Sequence, residues 1–443
     1  MSAPTASTPW TGRRLHFVGM GGAGMSGLAL VAHALGATVT GSDRAPDSAY
    51  AGPLRELGIV AAAGHDAAHV PADAELVVSS AIAPGNPERA IARERGQREL
   101  HRADLLGEIT RLRPTIAVSG THGKTTTSSM AVHALRACGM DPSYLVGGEV
   151  RSTGANAGWG TGEWLVVEAD ESDRSLLKLA PRIAVVTNAE LDHQDTYASQ
   201  QEVDDTFAAF LALAETAVVG EDPGLRALAG ERPTVVARAH DVALAPGGSS
   251  FTVEGVRVPL AVPGEHNARN AAAALVACRL AGADLERAAA SLAGFTGAGR
   301  RFERLGVSGA GVIVVDDYAH HPTEVRATIA AARTLEPRRV IAVFQPHLYS
   351  RTRHQAVDFG AALAGADLAA VLDVYPARER AEDFPGVSGR LVADAVAAAG
   401  GDVAWTPDFD AAEARLRDEL REGDLVLTMG AGDVNALGRR LLA

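Results

Sequence analysis

Residues 117–130 read AVSGTHGKTTTSSM. A short apolar run enters a glycine, a Gly-Lys-Thr triplet follows, and hydroxyl residues open the next segment. That order predicts a strand, a tight loop and a helix. Consecutive backbone N–H groups in such a loop form a concave anion site, and the helix start adds the positive end of its dipole. Lys124 would then reach terminal phosphates, and the Thr125 hydroxyl would sit on Mg²⁺. The loop is shorter than the common G-x-x-x-x-G-K-[ST] pattern, with only two residues between Gly120 and Gly123. An ordinary strand-to-helix turn is the competing reading. Lysine usage argues against it, because of the 41 Lys and Arg residues only Lys124 and Lys178 are lysines. Arginine serves elsewhere, so a lysine here points to a need for a compact ammonium.

Two further apolar runs end in polar clusters, WLVVEADESD at 164–173 and IAVVTNAELDH at 183–193. In open α/β sheets ligands bind beyond the carboxyl ends of strands. Mg²⁺ takes hard oxygens together with substrate phosphates. Glu168, Asp170, Glu171 and Asp173 are therefore candidate ion ligands, and Asn188, Asp192 and His193 are expected at the same edge. Any one cluster alone reads equally well as a solvated acidic loop. Together with the glycine loop they point to a nucleotide–metal site.

The front of the chain carries a second glycine turn. Gly19, Gly21 and Gly24 satisfy G-x-G-x-x-G after the run LHFV, and Asp43 follows 19 residues after Gly24. The spacing fits a dinucleotide fingerprint, hence an NAD-dependent oxidoreductase. The turn can equally hold another diphosphate, with Asp43 accepting from a ribose hydroxyl, so a UDP-sugar also fits. A tight turn without a ligand is the third reading.

Composition bounds the rest. A chain of 443 residues implies two to four domains. No apolar stretch reaches the length of a membrane span. The formal net charge of −13 argues against a general nucleic-acid binder. Cys138 and Cys278 provide neither a disulfide framework nor a CxxC metal site, which fits a reducing cytoplasm. The first dozen residues, MSAPTASTPWTG, lack an apolar signal core and read as a frayed tail.

Strands alternating with helices predict an α/β chain of three tandem domains. We place an N-terminal Rossmann-like domain at 1–110 and a central P-loop-type ATPase domain with a mostly parallel sheet at 111–297. A C-terminal Rossmann-like domain follows at 298–443. The stretch from 234 to 264 reads as a small antiparallel sheet, and 293–306 as a linker. That linker contains RRFE, where Arg300 and Arg301 could bring positive charge to a phosphoryl group on domain closure. HNARN at 266–270 opens a helix, either as a nucleotide contact or as a cap. DDYAHHPTEV ends a third-domain strand with acids and a His-His pair. Such a pair with acids could bind a metal, but no further ligand cluster completes a zinc set.

Ten motifs now lie in order along nearly the whole chain: GMGGAGMSGLA, VVSSAI, GTHGKTTT, EADESD, VTNAELDH, PGEHNARNA, RRFE, DDYAHHPTEV, FQPHLYSRT and DVYPARE. In that order they resemble the Mur ligase family, whose short phosphate loop reads G-T-x-G-K-[ST]. The resemblance implies an ATP- and Mg²⁺-dependent ligase of peptidoglycan synthesis. The branch resembled joins L-alanine to the lactyl carboxylate of UDP-N-acetylmuramate through an acyl phosphate. It implies catalytic roles for Lys124, Glu168, His193 and Arg301. ATP would be held by Gly120, Thr121, His122, Gly123, Lys124, Thr125 and Thr126, with His266, Asn267, Asn270, Arg301 and Asp317. Thr125, Glu168 and His193 would ligate metal. Gly21, Gly22, Ala23, Gly24, Met25, Asp43, His65, Ser79 and Ser80 would hold the UDP-sugar. Tyr318, His320, Arg351 and Arg353 would face alanine and the carboxylate. The carbamylated lysine of several relatives has no counterpart, and Arg378 stands where the family usually has glycine. A monomer or homodimer acting on small molecules is expected. The rival readings are a recycling ligase that joins a murein peptide to the same sugar nucleotide, and the NAD-dependent oxidoreductase.

Overall fold

A computed structural model describes residues 8–48 and 50–442. The first sheet contains β1 (Arg14–Val18), β2 (Thr38–Asp43), β3 (Ala62–Ala63), β4 (Glu75–Val78) and β5 (Glu99–His101). All its pairings are parallel, in the order β3-β2-β1-β4-β5. The glycine turn after β1 leads directly into the helix Ala23–Ala34.

The second sheet contains β6 (Thr115–Ser119), β7 (Ser143–Val150), β8 (Ala155–Gly158), β9 (Leu165–Glu168), β10 (Ile183–Val186), β11 (Thr216–Val219) and β12 (Thr234–Val236). Its order is β12-β11-β10-β6-β9-β7-β8, with only β8 antiparallel to its neighbour. β6 and β10 are buried along their whole length. Their β-branched runs suit strands covered on both faces. The phosphate-loop strand β6 thus lies between β9 and β10, the two strands that end in EADESD and TNAELDH.

β13 (His240–Ala245), β14 (Gly248–Val253) and β15 (Val256–Leu260) form the small antiparallel sheet, which starts later than expected because Thr234–Val236 pairs parallel with β11 in the second sheet. On β14 Ser249, Phe251 and Val253 alternate inward. The fourth sheet has β16 (Glu303–Val307), β17 (Ile313–Asp317), β18 (Val340–Phe344), β19 (Leu368–Val371), β20 (Val403–Trp405) and β21 (Leu425–Met429). Its order is β16-β17-β21-β18-β19-β20, parallel except for β16.

The first two sheets share one apolar core. The helix Ala23–Ala34 packs on the β7–β8 hairpin, and a Cβ on Gly27 would lie 3.1 Å from Ala157 and 3.2 Å from Leu145. Asn156 closes the seam by donating to the Ala23 carbonyl at 2.6 Å.

Two expectations change. Residues 1–7 of the expected tail lie outside the described residues, but Trp10 is buried. Its N–H donates to the Leu35 carbonyl at 2.9 Å, and Arg13 lies 4.5 Å over its ring. The 293–306 stretch, expected as a linker, is packed rather than free. Phe295 and Ala298 are buried, and Ala298 bridges to Val150. Among the described residues no helix is long and apolar enough to cross a membrane.

Candidate active site

The loop between β6 and the helix Lys124–Ala137 turns at Gly123, with φ of 82°. A Cβ there would sit 2.4 Å from Asn270 Oδ1. Glycine is therefore required both for the left-handed backbone and for the approach of the helix Glu265–Leu280. The Lys124 ammonium donates to the carbonyls of Gly120 at 2.7 Å and Thr121 at 3.1 Å, and to Glu171 at 2.9 Å. Burial weighs most and disfavours its charge. The carboxylates of Glu171, Asp170 and Glu168 together outweigh it and raise the lysine above its ordinary pKa.

Glu168, at the end of β9, accepts the Gly147 N–H at 2.8 Å. His193 adopts a positive φ of 52°, and its Nε2 lies 3.4 Å from Glu171. Burial opposes its protonation, but Glu171 and Asp192 raise its pKa. Glu171 thus stands between the lysine and the histidine. Asp170 and Asp173 face Arg102 of the first domain at 2.9 and 2.8 Å. Burial pushes Asp170 up, yet Arg102 and Lys124 bring it to about 2.

The third domain reaches the same loop. Arg301 donates to Thr125 Oγ1 at 3.4 Å. Its neighbour Arg300 turns the other way, to Asp316 at 2.9 Å and to the carbonyls of Gly430 at 2.8 Å and Gly432 at 2.9 Å. Left-handed backbone at Arg300 and Phe302, with φ of 57° and 47°, separates the two guanidinium groups. Asp317 accepts the N–H groups of Phe302 and Ala319, each at 2.7 Å. Burial nevertheless lifts it to about 6, against the pull of Arg301. His266 is lowered to about 4 by burial. Asn267 donates to the Pro263 carbonyl at 2.7 Å. With His122, Gly123, Thr126, Asn270 and Arg301, the residues Asp317, His266 and Asn267 line one cavity of about 300 Å³.

The remaining third-domain candidates separate. Tyr318 carries Arg300 and Arg301 against its ring at 5.0 and 5.1 Å. His320 lies 3.2 Å from Glu324. Arg351 is buried against Asp192 of the central domain at 2.9 Å. Arg353 is exposed over the Phe384 ring at 5.3 Å. Arg378 pairs with Asp195 of the central domain.

In the first domain, Asp43 closes the glycine turn by accepting the N–H groups of Gly21 and Ala45, each at 2.7 Å. Gly22, Ala23 and Gly24 continue the turn into the helix, where Met25 is buried in the shared core. His65 lies 3.0 Å from the Ser42 hydroxyl. Ser79 is half-buried beyond β4. Ser80 donates to Asp173 at 3.0 Å across the domain seam.

No motif in the sequence singles out Glu190 or Glu324. His122 lies 3.4 Å from Glu190 and 3.3 Å from Glu324. Burial opposes its charge, but the two carboxylates raise it to about 9. Glu190 stands inside the TNAELDH motif and Glu324 inside HHPTEV, yet no spacing links either to a loop histidine so far away in the chain.

Comparison with known proteins gives consistent results over the whole length. Residues 14–113, 118–278 and 300–432 match, in turn, the Mur ligase family catalytic domain, the Mur ligase middle domain and the Mur ligase glutamate ligase domain. The chain is 46% identical over 459 residues to the UDP-N-acetylmuramate–L-alanine ligase of Thermobifida fusca, covering 97% of this chain and 96% of that protein. It is 48% identical over 457 residues to the ligase of the same name from Kineococcus radiotolerans, covering 97% and 95%. The crystal structure of UDP-N-acetylmuramate–alanine ligase from Thermotoga maritima superposes with a TM-score of 0.82 at 27% identity, covering 97% of this chain and 98% of that one. The murein peptide ligase of Psychrobacter arcticus shares the fold, with a TM-score of 0.71 at 24% identity, covering 97% and 98%. With all three domain matches in chain order and near-half identity to full-length relatives, the chain belongs to the Mur ligase family.

Proposed function

We propose that this protein uses ATP to join L-alanine to the lactyl carboxylate of UDP-N-acetylmuramate, in peptidoglycan synthesis. The carrying observation is the identity of 46% to a full-length relative that bears this activity in its name. The convergence of Lys124, Thr125 and Arg301 on one loop supports it.

In this reading the carboxylate attacks the γ-phosphorus and ADP leaves. The resulting acyl phosphate is attacked at carbon by the alanine amine, which loses a proton, and phosphate leaves as the amide forms. Both phosphoryl donor and nucleophile are anions, so electrostatic stabilisation dominates the barrier. Lys124 leaves its carbonyl partners for the phosphate oxygens, and Glu171 holds it in the charged form. Arg301 adds a second positive charge from the third domain. His266, Asn267, Asn270 and Asp317 bind the nucleotide in the cavity, and the Asp43 turn binds the sugar nucleotide. Docking of the third domain over the loop excludes water that would hydrolyse the acyl phosphate.

The donor set fits Mg²⁺, because the Thr125 hydroxyl and the Glu168 carboxylate are hard oxygens beside the phosphate loop. His193 with Glu168 would serve a second ion. Mg²⁺, when bound, neutralises phosphate charge.

Phosphate release with ATP, Mg²⁺ and UDP-N-acetylmuramate tests the reading, with L-alanine or a murein tripeptide added in parallel. The expected result is release with alanine and a product heavier by one alanyl residue. Release with the tripeptide alone would assign the recycling reaction instead.

A further inference from the structure

No further ligand cluster in the sequence completes a zinc set with the His-His pair of DDYAHHPTEV, but the fold brings two further ligands to one of the pair, His321. His321 caps the helix Pro322–Arg333 of the third domain. His122 comes from the phosphate loop, and Glu190 from the segment after β10. The rings of His122 and His321 are 4.5 Å apart. Glu190 Oε2 lies 3.4 Å from His122 Nε2 and 3.9 Å from His321 Nδ1. One donor atom from each of the three lies within 4.8 Å of the other two. The Nε2 of His122 is buried and has no aligned hydrogen-bond partner. Glu190 faces that nitrogen at 3.4 Å, and a coordinated cation would take the place of the proton held between them.

Two imidazoles and one carboxylate are a borderline donor set, suited to zinc and its first-row neighbours. Mg²⁺ favours oxygen ligands and is a poor match. Glu190 and His321 also line a second cavity of about 730 Å³. That cavity offers an entry path and room for water to complete the coordination.

We propose that His122, Glu190 and His321 form a zinc-class metal site between the central and third domains. It is distinct from the Thr125, Glu168 and His193 set. An ion there ties the phosphate loop to the third domain, because its ligands come from both. The imidazoles must be neutral to coordinate, so binding releases the proton that His122 shares with the carboxylates.

Co²⁺ is the probe, because its visible ligand-field absorption reports coordination. The full chain is titrated with Co²⁺ without nucleotide, then with Zn²⁺ as competitor. The expected result is a Co²⁺ spectrum that Zn²⁺ displaces. Glu190→Gln and His321→Asn should each weaken Co²⁺ binding at least ~10-fold, the scale of losing one contact that orders a metal site. His321→Asn keeps a side chain able to cap the helix, and thermal unfolding checks that both variants fold. His193→Ala should remove at most an ion of the Thr125, Glu168 and His193 set and leave Co²⁺ binding that still responds to Glu190→Gln and His321→Asn. Absence of Co²⁺ binding would overturn the proposal. So would unchanged affinity in the two variants, or loss of the spectrum in His193→Ala with retention in His321→Asn. Turnover with Mg²⁺ as sole metal reads the ligase reaction separately.

Discussion

Lys124 is held by three oxygens in a buried pocket, two of them loop carbonyls and one the Glu171 carboxylate. Its charge is therefore secured before any nucleotide arrives. An arginine would present its planar fork to a site shaped for a point charge. Lys124→Ala should lower turnover by at least ~10²–10³-fold, the scale of one lost transition-state contact. Phosphate release at saturating substrates checks this, and near-normal turnover would remove the lysine from the reaction. The pair Arg300 and Arg301 makes the same point about neighbours. One guanidinium braces Asp316 and two backbone carbonyls, while the other reaches Thr125 in a different domain.

At the level of elements, the site is a meeting of one loop and one helix. Gly123 ends the loop in a left-handed conformation, and Asn270 of the helix Glu265–Leu280 packs against it. Gly123→Ala should cost ~1–2 kcal/mol from backbone strain alone. The added methyl must also displace Asn270, so nucleotide affinity should fall together with stability. Urea unfolding and nucleotide-dependent fluorescence measure the two losses. A stability loss of only ~1–2 kcal/mol with unchanged nucleotide affinity would mean that Asn270 simply swings aside. The sheet order matters equally, because β9 and β10 flank β6 and bring Glu168 and His193 to the loop's own edge.

Across the whole molecule, ion pairs at the seams fix how the domains meet. Arg102 of the first domain grips Asp170 and Asp173, and Arg351 of the third grips Asp192. Both members of the second pair are buried. Arg351→Ala would strand a buried carboxylate, and breaking a buried pair in this way costs about 3–5 kcal/mol. Denaturant unfolding should show the third domain separating earlier in this variant. A single transition at the parent midpoint would show that the seam is held by other contacts.

The sequence by itself determined the class of the fold and the elements of the phosphate loop. Buried β-branched runs and a glycine before Lys124 carry their meaning locally, through periodicity and backbone chemistry. It also placed His266, Asn267, Asn270 and Arg301 among the candidates, by motif resemblance. Only the tertiary structure decided which charges are open and which are paired. Arg351 is an inter-domain tie to a carboxylate 159 residues away. Trp10 packs although its surroundings read as a tail, and the glycine-rich 293–306 stretch is anchored by buried Phe295. Glu171, Glu190 and Glu324 acquire their partners across separate elements. Pairing energies depend on distance in space and on burial, and neither is written in the spacing of residues along the chain.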